Sequence, residues 1–289
     1  SISLAHDLGH TPFGHAGEDE LNYKMKKNGG FNHNFHALKI LTKLEKKYSG
    51  FDGLNLTFET LDGILKHNGP IKFKVPEYVS DFIVFFNGDL KKNGSFESQL
   101  SSICDDIAYN NNDIDDGLHA GFFSIDELSE IDLVKSVLKR IKKNKLNDSS
   151  RIRYELVRNL IKIMMNDLIQ NTEANLQKYK IKFSDDIECQ KVKIVSLSDD
   201  MIREERKLKL FLKNNMYLHP RIRTMTIKAK KIISDLFDLF IEEPSLMPGN
   251  WNRFTNDKQK FINVCDYISG MTDNYAINTH RKFFDLYSF

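Results

Sequence analysis

Between Ala5 and Glu18 the chain reads AHDLGHTPFGHAGE, which sets three histidines and two carboxylates into fourteen residues. His6 beside Asp7 offers an imidazole nitrogen and a carboxylate oxygen, compatible ligands for a hard or borderline divalent cation. A bare His-Asp pair carries little by itself; the density of the whole string carries the reading. His15 and Glu18 are spaced i, i+3, which on a helix lets the carboxylate orient the imidazole, as a general acid–base pair requires. Glu18 can equally be read as a first-turn carboxylate favoured by the helix dipole. The local punctuation predicts a buried helix end over Ile2 to Leu8, a break at Gly9, and Thr11-Pro12 as N-cap and first residue of a new helix. That break gathers His6, Asp7, His10 and His15 around one concave junction. No Walker-type glycine loop or Rossmann fingerprint occurs, so a kinase-like phosphate cradle finds no support.

A second group lies further along. Asp105, Tyr109 and Asp113 are spaced i, i+4, i+8 and share one face of a helix. Asp106 points elsewhere and reads as structural. From spacing alone, Asp105 and Asp113 are better read as solvated carboxylates, and Tyr109 equally well as a core tyrosine. His36, His67, His119, His219 and His280 read as packing or surface histidines.

The elements that must position these residues are helical. Only six prolines occur, and long stretches carry the helical period, so the fold class is all-α. Phe35 to Tyr48 places Leu38, Leu41 and Leu44 on one face with lysines opposite. Ser95 to His119 reads as one long helix between Asn93-Gly94 and Gly121. Arg151 to Gln170 repeats the period through Leu156, Leu160, Ile163 and Met164. Arg221 to Ile241 does so through Met225, Ile232, Leu236 and Phe240, and Glu242-Glu243-Pro244 ends it. Lys260 to Tyr287 closes the chain with one or two helices. Phe82 to Phe86 is a short apolar run in which helix and strand are not separable by pattern. The basic segment Lys135 to Lys145 carries Val134, Leu138 and Ile141 at amphipathic spacing, and a solvated face is the better reading than a binding patch. No repeat or linker marks a boundary, so 1–289 is taken as a single domain, with the chemistry in 1–120 and a helical extension over 121–289.

Composition narrows the class. The chain has 289 residues, 40% of them apolar and 11% aromatic, enough for a sizeable core. A net charge of +2 argues against a protein defined by a strong basic or acidic field, and nucleic acid is not indicated as a partner. Cys104, Cys189 and Cys265 are far apart and odd in number. They form neither a disulfide framework nor a zinc-ligand spacing, which points to a reducing, cytoplasmic compartment. No apolar run approaches the roughly 20 residues that span a bilayer, and no signal-peptide pattern is seen.

The string AHDLGHTPFGHAGE closely resembles the signature of HD-domain phosphohydrolases, specifically the bacterial deoxyguanosine triphosphate triphosphohydrolase-like group. The resemblance continues in GGFNHNFHALKILTKLE from Gly29, LNLTFETLDGILKHNGP from Leu54 and SFESQLSSICDDIAYNNNDIDDGL from Ser95. It returns in FLKNNMYLHP from Phe211 and DYISGMTDNYAI from Asp266, leaving only about 120–200 and 245–260 without a clear counterpart. It implies an all-α HD-domain helical bundle with a helical C-terminal extension. It also implies hydrolysis of a deoxynucleoside triphosphate such as dGTP to the deoxynucleoside and tripolyphosphate. His6, Asp7 and Asp105 then correspond to metal ligands for Mg²⁺ or Mn²⁺, other transition metals being alternatives. His15 and Glu18 correspond to the catalytic pair, with His33 a second-rank catalytic candidate, and His10 to a donor near the triphosphate. Tyr109 and Asp113 correspond to the deoxyribose-binding face. A homo-oligomer and a second nucleotide as activator are further implications. In the family a first ligand His lies well upstream of the His-Asp pair. This chain opens at Ser1, without Met and inside an expected helix, so an N-terminal segment is expected to be missing. The competing readings are another HD-type phosphohydrolase, acting on nucleoside monophosphates, cyclic nucleotides or guanosine tetraphosphate, and a non-catalytic nucleotide- or nucleic-acid-binding protein that has kept the fold.

Overall fold

A computed structural model describes residues 1–72, 75, 89–142 and 148–286. The apolar run Phe82 to Phe86, the end of the basic segment at Lys143 to Lys145, and Tyr287 lie outside the described residues. Among the described residues there is no strand, as the helical periodicity predicts. None of their helices is long and apolar enough to cross a membrane. The three cysteines are free thiols.

The chain divides into two compact units. The first takes Ser1–Lys66, Ile71–Lys91 and Thr224–Phe289. It opens with α1 (Ile2–Ala5), which tightens into a 3₁₀ turn over His6–Gly9. α2 (His15–Met25), α3 (His33–Lys39) and α4 (Phe58–Leu65) follow. Asn32 starts α3, its side chain accepting from the amides of Asn34 and Phe35, and Thr57 caps α4 through the Thr60 amide. One apolar cluster joins Ala5, Phe35, Leu38 and Leu41 to Leu61, Ile64 and Leu65.

The second unit, His67–Pro70 with Lys92–Arg223, is built on α5 (Phe96–Ala120). The Ser95 hydroxyl accepts from the Ser98 amide at its start, and left-handed Gly121 stops it, as the sequence predicts. α6 (Ile125–Leu128), α7 (Asp132–Lys142), α8 (Ser149–Lys178), α9 (Ser184–Glu188) and α10 (Asp199–Leu212) follow, and α10 widens into a π turn over Lys213–Tyr217. Val134, Leu138 and Ile141 are buried with Leu156, Leu160 and Met164, while Lys135, Lys139 and Arg140 face solvent. The described part of the basic segment, up to Arg140, is a solvated face.

α11 (Pro220–Glu242) carries the chain back into the first unit, which α12 (Asp257–Ser269) and α13 (Asp273–Phe284) complete. Ile233, Leu236, Phe237 and Phe240 of α11 form a core with Leu21, Met25, Val264 and Ile268.

Four expectations need correction. Thr11-Pro12 does not start a helix: α2 begins at His15 with Gly14 as its N-cap, because residues 11–14 close a separate tight turn. Ile2 to Leu8 is not a buried helix end, since Leu4 is 87% exposed and Leu8 is 50% exposed. Phe35 to Tyr48 is not one amphipathic helix with all its lysines outside: Lys43, Lys46 and Lys47 are exposed, but Lys39 is buried. α3 is buried on all sides, Lys39 included, and a π turn over Ile40–Leu44 ends it. Met225, assigned to the buried stripe of α11, is 69% exposed.

Candidate functional site

The 3₁₀ turn brings the first histidines onto α3 through Gly9. A Cβ on Gly9 would lie 1.9 Å from the His33 carbonyl oxygen and 2.4 Å from the Ala37 nitrogen. Only glycine lets the two backbones approach so closely. The approach stacks the His10 ring on the His33 ring, with centroids 4.2 Å apart and planes 11° from parallel. His15 meets His10 edge-on at 5.2 Å and His33 at 6.0 Å.

Glu18 organises this cluster. It accepts the His33 amide at 3.0 Å, His33 Nδ1 at 2.8 and 2.9 Å, and His15 Nδ1 at 3.3 Å. Burial pushes the Glu18 carboxyl upward. The hydrogen bonds from His15 and from the His33 ring and amide outweigh it and hold the group well below the usual carboxylate range. Glu18 is therefore an ionised acceptor, and each imidazole donates its Nδ1 proton to it. His15 keeps 71% of its side chain exposed, with Nε2 not engaged by Glu18. Its pKa is raised, chiefly by the Glu18 hydrogen bond, against a smaller opposing effect of burial. His33 is buried and touches both Glu18 and His10.

Asp7 Oδ1 lies 3.3 Å from both His6 Nε2 and His10 Nε2. A hydrogen bond from His10 lowers the Asp7 pKa; partial burial opposes this, and the charges of His6, His10 and His33 add to the lowering. His6 is buried and its Nδ1 meets the Ser3 carbonyl at 3.1 Å, which directs Nε2 toward Asp7. This buried imidazole and ionised carboxylate form the donor mixture that a borderline divalent ion accepts, so the residues fit a metal. His10, Glu18 and His33 also have ligand atoms within 4.8 Å of one another. Glu18 already serves two imidazoles there, so that group fits proton handling better than coordination.

The other predicted residues stand on α5, in the second unit. Asp105 and Tyr109 are exposed and Asp113 is half-buried, one face as the spacing requires. Asp105 Oδ2 lies 3.8 Å from Nε2 of buried His67, a second imidazole–carboxylate pair. Asp106 turns away to Lys209 at 3.4 Å, as expected of a structural residue. Asp113 accepts a hydrogen bond from the Tyr217 hydroxyl. Burial raises the Asp113 pKa, the Tyr217 bond partly offsets this, and Asp116 adds to it. Burial also raises Tyr217, helped by its bonds to Asp113 and Tyr109.

Tyr217 and His67 were not picked out as site residues by sequence reasoning. Both stand in segments that resemble the family, FLKNNMYLHP and LDGILKHNGP, and that recurrence was the available signal. Tyr217 closes the π turn of α10, an irregularity that often marks functional positions and has no sequence signature. Each of the remaining histidines has a partner in the fold. His36 Nε2 meets the Ser269 hydroxyl at 2.7 Å, His119 meets Arg153, His219 packs on Phe122 and His280 pairs with Asp235.

The Phosphohydrolase-associated domain family matches residues 195–282. A deoxyguanosinetriphosphate triphosphohydrolase-like protein of Brucella suis is 43% identical over 297 aligned residues, covering 99% of this chain and 74% of that protein. The protein of the same name from Bartonella henselae is also 43% identical, and one from Mesorhizobium japonicum is 39% identical, each with the same coverage. At this identity and coverage, with the phosphohydrolase-associated segment in place, the chain belongs to the deoxyguanosinetriphosphate triphosphohydrolase-like family of HD-type phosphohydrolases.

Proposed function

We propose that the protein hydrolyses deoxynucleoside triphosphates of the dGTP type to the deoxynucleoside and tripolyphosphate, in a divalent-metal-dependent reaction. The observation that carries the reading is the shared Glu18 carboxylate, which orients buried His33 and exposed His15 and leaves His15 Nε2 outward. In this scheme water attacks the α-phosphorus, the bond from phosphorus to O5′ breaks, and His15 delivers its Nε2 proton to the departing oxygen. The raised pKa of His15 supports that role, because it keeps more of the imidazole protonated near neutral pH. His10, stacked on His33, serves as a donor to the triphosphate. Tyr109 packs against C2′ of the sugar, and Asp113 accepts from the 3′-hydroxyl. His6, Asp7 and Asp105 are proposed as metal ligands on the family resemblance, Mg²⁺ and Mn²⁺ being the first candidates. When bound, such an ion activates the attacking water and withdraws charge from the phosphate oxygens.

The test is product identification with dGTP, in the presence of Mn²⁺ or Mg²⁺, by ion chromatography. Tripolyphosphate with deoxyguanosine supports the proposal. Pyrophosphate or orthophosphate as the first product indicates a different HD-type phosphohydrolase. Binding of dGTP with no product indicates a non-catalytic relative. A homo-oligomer and a nucleotide activator are further proposals of the same resemblance, and a cytoplasmic location is one of the cysteine pattern; sedimentation, rate against a second nucleotide, and cell fractionation measure them directly.

A further inference from the structure

The segment DYISGMTDNYAI resembles the family yet holds none of the residues assigned to the chemistry. One of its side chains reaches the turn before the catalytic pair. Residues Thr11 to Gly14 close a β-turn, with the Gly14 amide donating to the Thr11 carbonyl at 3.1 Å. Pro12 occupies the second position, and Phe13 the third with φ +65°. Pro followed by a positive φ describes a type II turn, whose third position is ordinarily glycine or asparagine. Phenylalanine there is held against its own preference, so the surroundings must impose the conformation. Two contacts do so. The Phe13 ring packs on the apolar cluster that includes Leu236 and Phe237, and it lines a cavity of about 500 Å³ with Met225, Ile232 and Ile277. The Phe13 amide donates to Asp273 Oδ1 at 2.9 Å, across 260 residues of sequence.

We propose that Asp273 is a positioning residue for the His15–Glu18 pair and acts through the backbone of Phe13. The inference rests on the phosphohydrolase reading above. Gly14 is the N-cap of α2, His15 is its first residue, and the Glu18 amide donates to the Gly14 carbonyl at 3.0 Å. The orientation of the turn therefore sets the first turn of the helix that carries both groups. On the other side, the Thr272 hydroxyl accepts from the Tyr275 amide and fixes the start of α13. A carboxylate in a first helical turn is favoured by the dipole alone. That bland role does not involve Phe13, and the two roles predict different results.

The experiment compares the wild-type protein with Asp273→Ala and Asp273→Asn, the latter keeping an acceptor at the same reach. With dGTP and Mn²⁺, Asp273→Ala is expected to lower kcat about tenfold or more, within the roughly 10²-fold that small misplacements cost, while KM moves little. Asp273→Asn is expected to restore most of it. The His15 imidazole NMR signals, assigned by their loss in His15→Gln, are expected to shift in Asp273→Ala and return in Asp273→Asn. If Asp273→Ala folds poorly, Asp273→Ser replaces it, being a good helix-start residue too short to reach Phe13. A folded variant with unmoved His15 signals and unchanged kcat overturns the proposal, as does a loss of thermal stability alone. If the wild-type protein hydrolyses no nucleotide, the functional reading falls, and the His15 signals by themselves decide whether Asp273 positions the pair.

Discussion

Glu18 serves two imidazoles at once, so substitutions in the cluster have separable effects. His15→Ala is expected to cost about 10²-fold or more in turnover while nucleotide still binds, as measured by steady-state kinetics alongside binding of a non-hydrolysable analogue. Glu18→Gln is expected to cost less and to change the pH profile. The hydrogen bond to Glu18 raises the His15 pKa, so the protonated acid persists to higher pH and activity falls as pH rises through the raised value. With that support weakened, the alkaline limb of kcat moves to lower pH; an unmoved limb removes His15 from the role of acid. In the proposed reading Tyr109 of α5 forms an aromatic wall against C2′, and such a wall excludes an added hydroxyl by only about 10²-fold. Tyr109→Ala is therefore expected to narrow the preference for dGTP over GTP by up to about that factor, and Asp113→Ala to weaken deoxynucleotides without admitting ribonucleotides. Competition assays with the two nucleotides check both. The residue types of this site were legible because His, Asp and Glu crowd into fourteen positions. The Glu18–His33 bond was not, since nothing in the spacing of Glu18 and His33 shows that α2 and α3 bring them together.

The long helices were readable from apolar period and end signals, and α5 lies within a residue of its predicted bounds because serine and glycine punctuate it. The short elements around the site were not readable. A phenylalanine with positive φ carries no sequence mark, and α3 defied the amphipathic reading because its lysine has a partner 227 residues away. Lys39 donates to Asp266 of α12, both buried, and His36 of the same helix meets Ser269. Burial pushes the Asp266 carboxyl up and the neighbouring lysine pulls it back, while burial, with Lys39 adding, drives His36 down to about 3. Removing one partner of a buried ion pair leaves an uncompensated charge, which typically costs about 3–5 kcal/mol. Asp266→Ala is expected to lose stability on that scale in urea unfolding, and Lys39→Met with Asp266→Leu to regain most of it. Equal losses in the single and double variants would show that the helix contact, not an uncompensated charge, sets the stability there.

At the scale of the whole chain, residues 1–40 supply the histidines and Glu18, and the last third of the sequence holds them in place. Lys39 and Asp266, His36 and Ser269, and Phe13 and Asp273 are ties between those two stretches within the first unit. In the proposed reaction water attacks the α-phosphorus and the deoxynucleoside leaves with its own O5′. Hydrolysis of dGTP in ¹⁸O-labelled water, followed by mass spectrometry of both products, tests it most directly. One labelled oxygen is expected in the tripolyphosphate and none in deoxyguanosine. Label in deoxyguanosine, or label in a pyrophosphate or orthophosphate released before any tripolyphosphate, contradicts it.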